Sequence, residues 1–284
     1  MNVTEAIIFG TEKLTHANIE NSIREVDIIL SFSIDRSRIF IHAYPEYVLT
    51  DEEEKTYREN IFRREKREPI AQIRGYAHFY GRQFFVNKNT LIPREETELL
   101  VEQAIKSVKD NGTVIDVGTG SGIIAITLKK ERPDLTIFAS DISEEALEVA
   151  KKNSEKHNVT VNFQKNHLVN GAENDSLDLI AANLPYIPFS DRPTLMTEVA
   201  DFEPYSALFA DDDGFSLIYE LIASAKDKLR ENGKIILEIG IGQSKKIVDF
   251  LDKKGYNNIS VTKDYANIDR IISANLLKVE KKYD

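Results

Sequence analysis

From Pro93 onward, short apolar and β-branched runs alternate with helical patterns, and this alternation constrains the fold more than any other feature of the chain. Runs at 113–117, 136–140, 161–164, 177–182, 234–239, 259–262 and 270–274 read as strands. Helical patterns over 96–109, 123–132, 144–156, 215–230 and 244–254 lie between most of them. Strands joined by helical crossovers lie parallel in one sheet, so this part is expected to be an α/β doubly wound, Rossmann-like sheet of seven strands. Only residues 263–269 separate the last two runs. That is too short for a crossover helix, so those strands are expected to pair antiparallel at a sheet edge.

Ahead of this region the periodicity is helical. Ile19, Ile23, Val26 and Leu30 recur at helical spacing, as do Tyr57, Ile61 and Phe62. Thr50, followed by Asp51-Glu52-Glu53, is a candidate helix cap. Aromatic and β-branched residues flank Gly81-Arg82 in the manner of a β-hairpin. The expected organisation is a helical domain at 1–73, a β-hairpin linker at 74–90 and the α/β domain at 91–284.

Composition narrows the function classes. The 284 residues carry 37 Lys and Arg against 47 Asp and Glu, a net charge of −10, which opposes sequence-independent binding to nucleic acid. There is no cysteine, which excludes disulfides, thiolate metal sites and a Cys nucleophile. No apolar run nears the roughly 18 residues that span a bilayer, and the amino terminus mixes acids among its apolar residues. The expectation is a soluble cytoplasmic protein with no membrane partner. The five histidines (His16, His42, His78, His157 and His167) have no metal-ligand spacing, so no metal is expected. Asp211-Asp212-Asp213-Gly214 reads as a turn before a helix, and the basic cluster at 63–67 as a solvated helix face.

Two motifs carry the chemistry. The first is Val114-Ile115-Asp116-Val117-Gly118-Thr119-Gly120-Ser121-Gly122, an apolar strand running into a glycine-rich turn and then a helix. Glycines there let the backbone approach a ligand, and the helix start offers free N–H groups. About 20 residues on, Asp141, followed by Ile142, ends the next strand, where an acid can accept hydrogen bonds from ribose hydroxyls. The other role open to Asp141 is capping the next helix, which Ser143 could take instead. The spacing is G-x-G-x-G, unlike the G-x-G-x-x-G of dinucleotide sites, and no G-x-x-x-x-G-K-[ST] loop is present. In this form, with Asp116 before it and Asp141 after, the motif resembles motif I of S-adenosylmethionine-dependent methyltransferases.

The second is Asn183-Leu184-Pro185-Tyr186 at the end of the fourth strand. It resembles the [NDS]-P-P-[YFW] motif of methyltransferases acting on planar nitrogens. An amide or exocyclic amine nitrogen has a delocalised lone pair. Two acceptors, the Asn183 side-chain oxygen and the carbonyl of Leu184, can hold its hydrogens and aim that lone pair, while Tyr186 packs on the planar group. Leu184 stands where the motif has its first proline, yet Pro185 still holds it extended. N-L-P-Y also resembles the motif of ribosomal RNA adenine dimethyltransferases.

Over nearly its whole length the chain resembles the peptide chain release factor N5-glutamine methyltransferase (PrmC/HemK) family. The segments that carry this include Glu68 to Gly75, Phe79 to Phe84, Leu91-Ile92-Pro93-Arg94-Glu95-Glu96-Thr97-Glu98, Glu203 to Leu208, Leu237 to Gly240 with Gln243, and Asp264 with Asp269-Arg270. The L-I-P-R-x-E-T-E segment is the most specific of them. The resemblance implies a class I methyltransferase domain behind a helical substrate-recognition domain and a hairpin. It implies S-adenosyl-L-methionine as cofactor and, as substrate, the glutamine of the GGQ motif in class I release factors. It further implies no direct nucleic-acid partner and a monomer. By this resemblance Gly118, Thr119, Gly120, Ser121, Gly122, Asp141, Ile142 and Asn183 bind the cofactor. Asn166 and His167 join them, standing where the family often shows S-D-W-F. Asn183, Leu184, Pro185 and Tyr186 bind the glutamine, with Asn183, Pro185 and Tyr186 as the catalytic set. Glu95 replaces the family's usual proline after Arg94. The alternatives are an N6-adenine methyltransferase of RNA or DNA, which would want a basic face, and a non-catalytic methyltransferase-like module, which would have lost Asn183 or the glycine turn.

Overall fold

The computed structural model describes residues 1–277, so the last seven residues of the expected third domain lie outside the described residues. The chain begins with five helices: α1 (Val3–His16), α2 (Ser22–Ser33), α3 (Arg38–Ala43), α4 (Asp51–Glu65) and α5 (Ile70–Arg74). α4 starts at Thr50, whose hydroxyl accepts from the Glu53 amide while the Glu53 carboxylate accepts from the Thr50 amide. Ile19, Val26, Leu30, Tyr57 and Ile61 are buried in one core with Val3, Leu14 and Ile29, whereas Ile23 and Phe62 from the same periodic sets are exposed.

A hairpin follows, β1 (Tyr76–Phe79) and β2 (Arg82–Phe85). Then come α6 (Thr97–Ser107), β3 (Thr113–Val117), α7 (Ile123–Glu131), β4 (Thr136–Asp141), α8 (Glu144–Lys156), β5 (Asn162–Lys165) and β6 (Leu177–Ala182). Short elements follow: β7 (Ile187–Pro188), α9 (Thr197–Ala200), α10 (Tyr205–Leu208), β8 (Phe209–Ala210) and α11 (Asp211–Gly214). The chain finishes with α12 (Ser216–Lys228), β9 (Leu229–Glu238), α13 (Ser244–Lys253), β10 (Tyr256–Lys263) and β11 (Asp269–Leu276).

The seven-stranded sheet has the order β10-β11-β9-β6-β3-β4-β5. β9, β6, β3, β4 and β5 are parallel, and β11 is antiparallel to both β9 and β10. The hairpin expected from the short 263–269 link is thus present at the sheet edge. Side chains alternate between two apolar layers, as period-two strands require. Ile115, Ile180, Ala182, Ile235 and Leu237 face the layer with α12 and α13. Val114, Leu179, Ala181 and Ile236 face the layer with α6 and α7. Strand order reverses between β3 and β6, so their carboxyl ends splay into the crevice where open α/β sheets bind ligands.

The chain forms two compact units. One is Met1–Tyr76 together with Leu195–Phe202, and the other is Ala77–Thr194 with the chain from Glu203. Hairpin residues Phe79 and Phe84 are buried in the second unit's core. Asn153 on α8 locks the hairpin there. Its side chain accepts from the Phe85 amide (2.7 Å) and donates to the Phe85 carbonyl (3.0 Å) and the Ser121 carbonyl (2.8 Å).

The basic cluster on α4 departs from the solvated face expected of it. Arg64 is only 5% exposed and bonds to Glu25 and to Glu198 (2.8 Å), while Arg67 reaches the other oxygen of Glu198 (2.9 Å). Paired carboxylates satisfy the guanidinium fork, which is what makes burial of such a charge tolerable. Asp212, Asp213 and Gly214 lie in the left-handed region (φ 54°, 51° and 86°), so the acidic run is the turn anticipated before α12. Among the described residues, no helix is long and apolar enough to cross a membrane.

Candidate active site

β3 delivers Asp116 into the sheet interior just before the glycine turn. Its Oδ2 accepts from the Thr119 hydroxyl (2.6 Å) and the Ala125 amide (3.1 Å), and so ties the turn to the start of α7. Its Oδ1 is buried without a hydrogen-bond partner. Burial pushes the Asp116 carboxyl up to about 7, and the two hydrogen bonds oppose that rise.

Asp141 closes the turn from β4. It accepts from the Gly120 amide (2.9 Å) and the Ser143 amide (2.9 Å), and each carboxylate oxygen keeps a lone pair for a further donor. The cap of α8 is made by Ser143, whose hydroxyl accepts from the Ala146 amide (3.1 Å), so Asp141 is released from that job. Gly120 has φ +55°, and a Cβ there would have nothing within 4 Å, so glycine leaves room beside Asp141.

One cleft gathers most of the residues that the sequence singled out. Gly118, Gly120, Asp141, Ile142, Asn166, His167, Asn183, Leu184 and Pro185 line it. Thr119, Ser121 and Gly122 stand behind the wall. Thr119 and Ser121 are buried, and a Cβ on Gly122 would meet Ile126 at 2.8 Å, so its role is close packing. Farther along the cleft, the Asn166 backbone amide donates to the carbonyl of Asp141 (3.1 Å), and His167 is joined to Glu220 (2.8 Å).

The acceptor motif leaves the end of β6, next to β9. Asn183 Nδ2 donates to the Thr97 hydroxyl (3.2 Å), and that hydroxyl donates to Glu238 Oε2 (2.6 Å) at the end of β9. Thr97 and Glu238 are 1% and 2% exposed. Burial pushes the Glu238 carboxyl up to about 7, against the bond from Thr97 and the positive Arg270 nearby. Tyr186 does not line the cleft. It is largely buried, which raises its phenol to about 12, and its carbonyl accepts from Gln243 Nε2 (3.0 Å). Gln243 Oε1 in turn accepts from the Gly240 amide (2.8 Å). Gly214 lies against the same carbonyl, where a Cβ would come within 2.0 Å of the oxygen.

Several contributors carried no role in the sequence reading. Asn89, Thr90, Leu91, Pro204, Ser206, Ala207 and Leu217 complete the cleft walls. Glu203 joins two of those segments, for it accepts from the Ile92 amide (3.1 Å) and pairs with Arg94. Thr97, Glu203, Glu238 and Gln243 all fall in segments quoted for the family resemblance, which was the signal available. Among the described residues, no group of three or more His, Asp or Glu gathers as a metal site.

Comparisons with known proteins agree with this geometry. The PrmC N-terminal domain model matches residues 5–75, and the methyltransferase small domain model matches residues 95–199. A release factor glutamine methyltransferase of Leptospira interrogans is 38% identical over 92% of this chain and 93% of its own length. A bifunctional methyltransferase of Rickettsia bellii is 36% identical over 96% of this chain, which spans 55% of that protein. A methyltransferase structure from Pyrococcus furiosus superposes with a TM-score of 0.55 at 16% identity, covering 78% of this chain and 98% of its own, and so shares the fold. With family models on both parts of the chain and a relative matched almost from end to end, the protein belongs to the release factor glutamine methyltransferase (PrmC/HemK) family.

Proposed function

We propose that the protein transfers a methyl group from S-adenosylmethionine to the side-chain amide nitrogen of the glutamine in the GGQ motif of class I peptide chain release factors, in the cytoplasm. The observation that carries this reading is that Gly118, Gly120 and Asp141 of the glycine-turn region, and Asn183, Leu184 and Pro185 of the second motif, line one cleft at the ends of adjacent strands. The relative from Leptospira interrogans supports the choice of substrate.

The residues present fit this cofactor. Asp116 has a buried oxygen without a partner, Asp141 has lone pairs for ribose hydroxyls, and Gly120 leaves open space beside it in the cleft. Ile142, Asn166 and His167 would flank the adenine. When bound, S-adenosylmethionine supplies a methyl carbon on a positively charged sulfur.

An amide nitrogen needs its lone pair aimed, because conjugation makes it a poor nucleophile. Asn183 Oδ1 and the Leu184 carbonyl accept its two hydrogens and hold it in line, an orientation effect. Pro185 keeps Leu184 extended, so the carbonyl is presented without a proline at 184. Tyr186, anchored by Gln243, fixes the exit of the segment. As the nitrogen's lone pair bonds to the methyl carbon, the carbon–sulfur bond would break, its electron pair returning to a sulfur that leaves as a neutral thioether. The nitrogen then sheds a proton to solvent, so these groups position and do not abstract. The helical unit is the part we assign to recognition of the release factor, and the protein acts as a monomer.

The test is incubation with labelled S-adenosylmethionine and either a release factor or ribosomal RNA. Label should appear on the release factor and vanish with Gln→Ala in its GGQ motif. Label on RNA, or on protein lacking that glutamine, would reject this function.

A further inference from the structure

Glu238 is a buried carboxylate that the methyl-transfer scheme above leaves without a task. It stands one residue beyond Leu237, which pairs with Ala182 in the parallel β9–β6 register, so it lies beside Asn183 at the strand ends. Thr97, the first residue of α6, sits between them. The result is a chain of two hydrogen bonds, Asn183 Nδ2 to Thr97 Oγ1 at 3.2 Å and Thr97 Oγ1 to Glu238 Oε2 at 2.6 Å.

The polarity of this chain is set at its buried end. A hydroxyl has one hydrogen, and a carboxylate can only accept. With Glu238 ionised, the Thr97 hydrogen is committed to Glu238, and the hydroxyl can offer Asn183 only a lone pair. Asn183 must then turn its NH2 toward Thr97, which turns its Oδ1 away toward the acceptor. A protonated Glu238 can donate to Thr97 instead, freeing the Thr97 hydrogen for Asn183 Oδ1 and favouring the flipped amide. The flipped amide presents hydrogens to a substrate amide that also presents hydrogens.

We propose that Glu238 and Thr97 are positioning residues, which act through Asn183 to keep its oxygen facing the glutamine amide and to make that orientation depend on the protonation of Glu238. This rests on the glutamine-methylation reading and adds a pH-sensitive setting to it. Burial raises the Glu238 carboxyl to about 7, so the change falls near neutral pH. The charged groups that bear on it are Arg270 on β11 and Arg94, which favour the ionised form, and Glu96, which opposes it, with the Tyr186 phenol nearby.

The experiment is a pH series of kcat and KM from pH 6 to 8.5 on a GGQ-containing release factor, with wild type, Glu238→Gln, Thr97→Val and Thr97→Ser. Wild-type kcat should rise with pH through about 7. Glu238→Gln can donate to Thr97 at every pH and should flatten that rise. Thr97→Val should lower kcat about 10- to 100-fold, and Thr97→Ser should restore it. The KM for S-adenosylmethionine should stay within about twofold throughout, a split that general damage to the fold would not produce. A wild-type pH profile in Glu238→Gln, or wild-type kcat in Thr97→Val, overturns the relay. Should the wild type itself leave the release factor unlabelled, the substrate reading fails, and the relay is then judged without turnover. The Asn183 side-chain amide signals in the 15N spectrum of the free protein, assigned by their loss in Asn183→Ala, should move with pH near 7 in wild type and stay fixed in Glu238→Gln. Signals that do not titrate in wild type refute the proposal.

Discussion

Replacing Asp116 by Asn removes a charge that the fold holds at a cost. The carboxyl is fully buried, and burial lifts it from an ordinary 3.8 to about 7. Between those values the folded protein keeps a proton that the unfolded chain has already released. The native state therefore binds more protons, and the stability from this group falls as pH rises through that window. At about 1.36 kcal/mol per pH unit, the interval from 3.8 to about 7 amounts to roughly 4 kcal/mol. Asparagine has the shape of the neutral acid and keeps an acceptor for the Thr119 hydroxyl and the Ala125 amide, but it does not titrate. The assay is urea unfolding of both proteins without cofactor, followed by circular dichroism, at several pH values from 4 to 8. The variant-minus-wild-type free energy should be near zero at pH 4 and climb toward about 4 kcal/mol in favour of the variant by pH 8. Groups that do not interact with Asp116 cancel in the difference; its charged neighbour Asp141 is the exception. A difference that stays flat across this range would refute the reasoning that burial dominates at Asp116. The variant should also bind S-adenosylmethionine more weakly, a site that trades stability for function.

Asn183→Ala should cut turnover at least about 100-fold, far more than it weakens cofactor binding measured by calorimetry; retained turnover would remove Asn183 from its assigned role. Asp141→Ala should weaken cofactor binding about 10- to 100-fold, as expected for lost hydrogen bonds to a charged acceptor, and unchanged affinity would count against the ribose assignment. Gly214→Ala should lower the melting temperature and abolish turnover, because its Cβ would come within 2.0 Å of the Tyr186 oxygen at φ +86°. Gly242→Ala is the control: it has φ +79° but open space around it, so it should show only the smaller backbone penalty, and equal losses in the two variants would dismiss the collision argument.

Much of the site was readable because its signals are local. The strand, the glycine turn and the acid that ends the next strand occupy consecutive stretches of chain, and each has a residue-level reason to be there. Asn183 to Tyr186 was readable for the same reason. The Asn183–Thr97–Glu238 chain was not. Its members are 86 and 141 residues apart in sequence, and only the β9–β6 adjacency beside the start of α6 brings them together. Arg64 misled in another way. On a helix dense with charges it looked solvated, since its partners Glu25 and Glu198 lie 39 and 134 residues away. Tyr186 is partly buried and its carbonyl is anchored by Gln243 from after β9, a contact across 57 residues that the local motif did not signal.

The affiliation of Leu195–Phe202 with the helical unit has a consequence for how the chain is made. Residues 1–76 leave the ribosome ahead of the α/β unit, yet the partner that completes the Arg64 and Arg67 pairs, Glu198, emerges more than a hundred residues later. Until then the Arg64 guanidinium lacks one of its carboxylates, and closing so long a loop has its own entropic cost. The helical unit is made before the α/β unit and finished after most of it. A nascent chain halted just after β6 (Leu177–Ala182) would carry every strand of the glycine turn's neighbourhood and an incomplete helical unit.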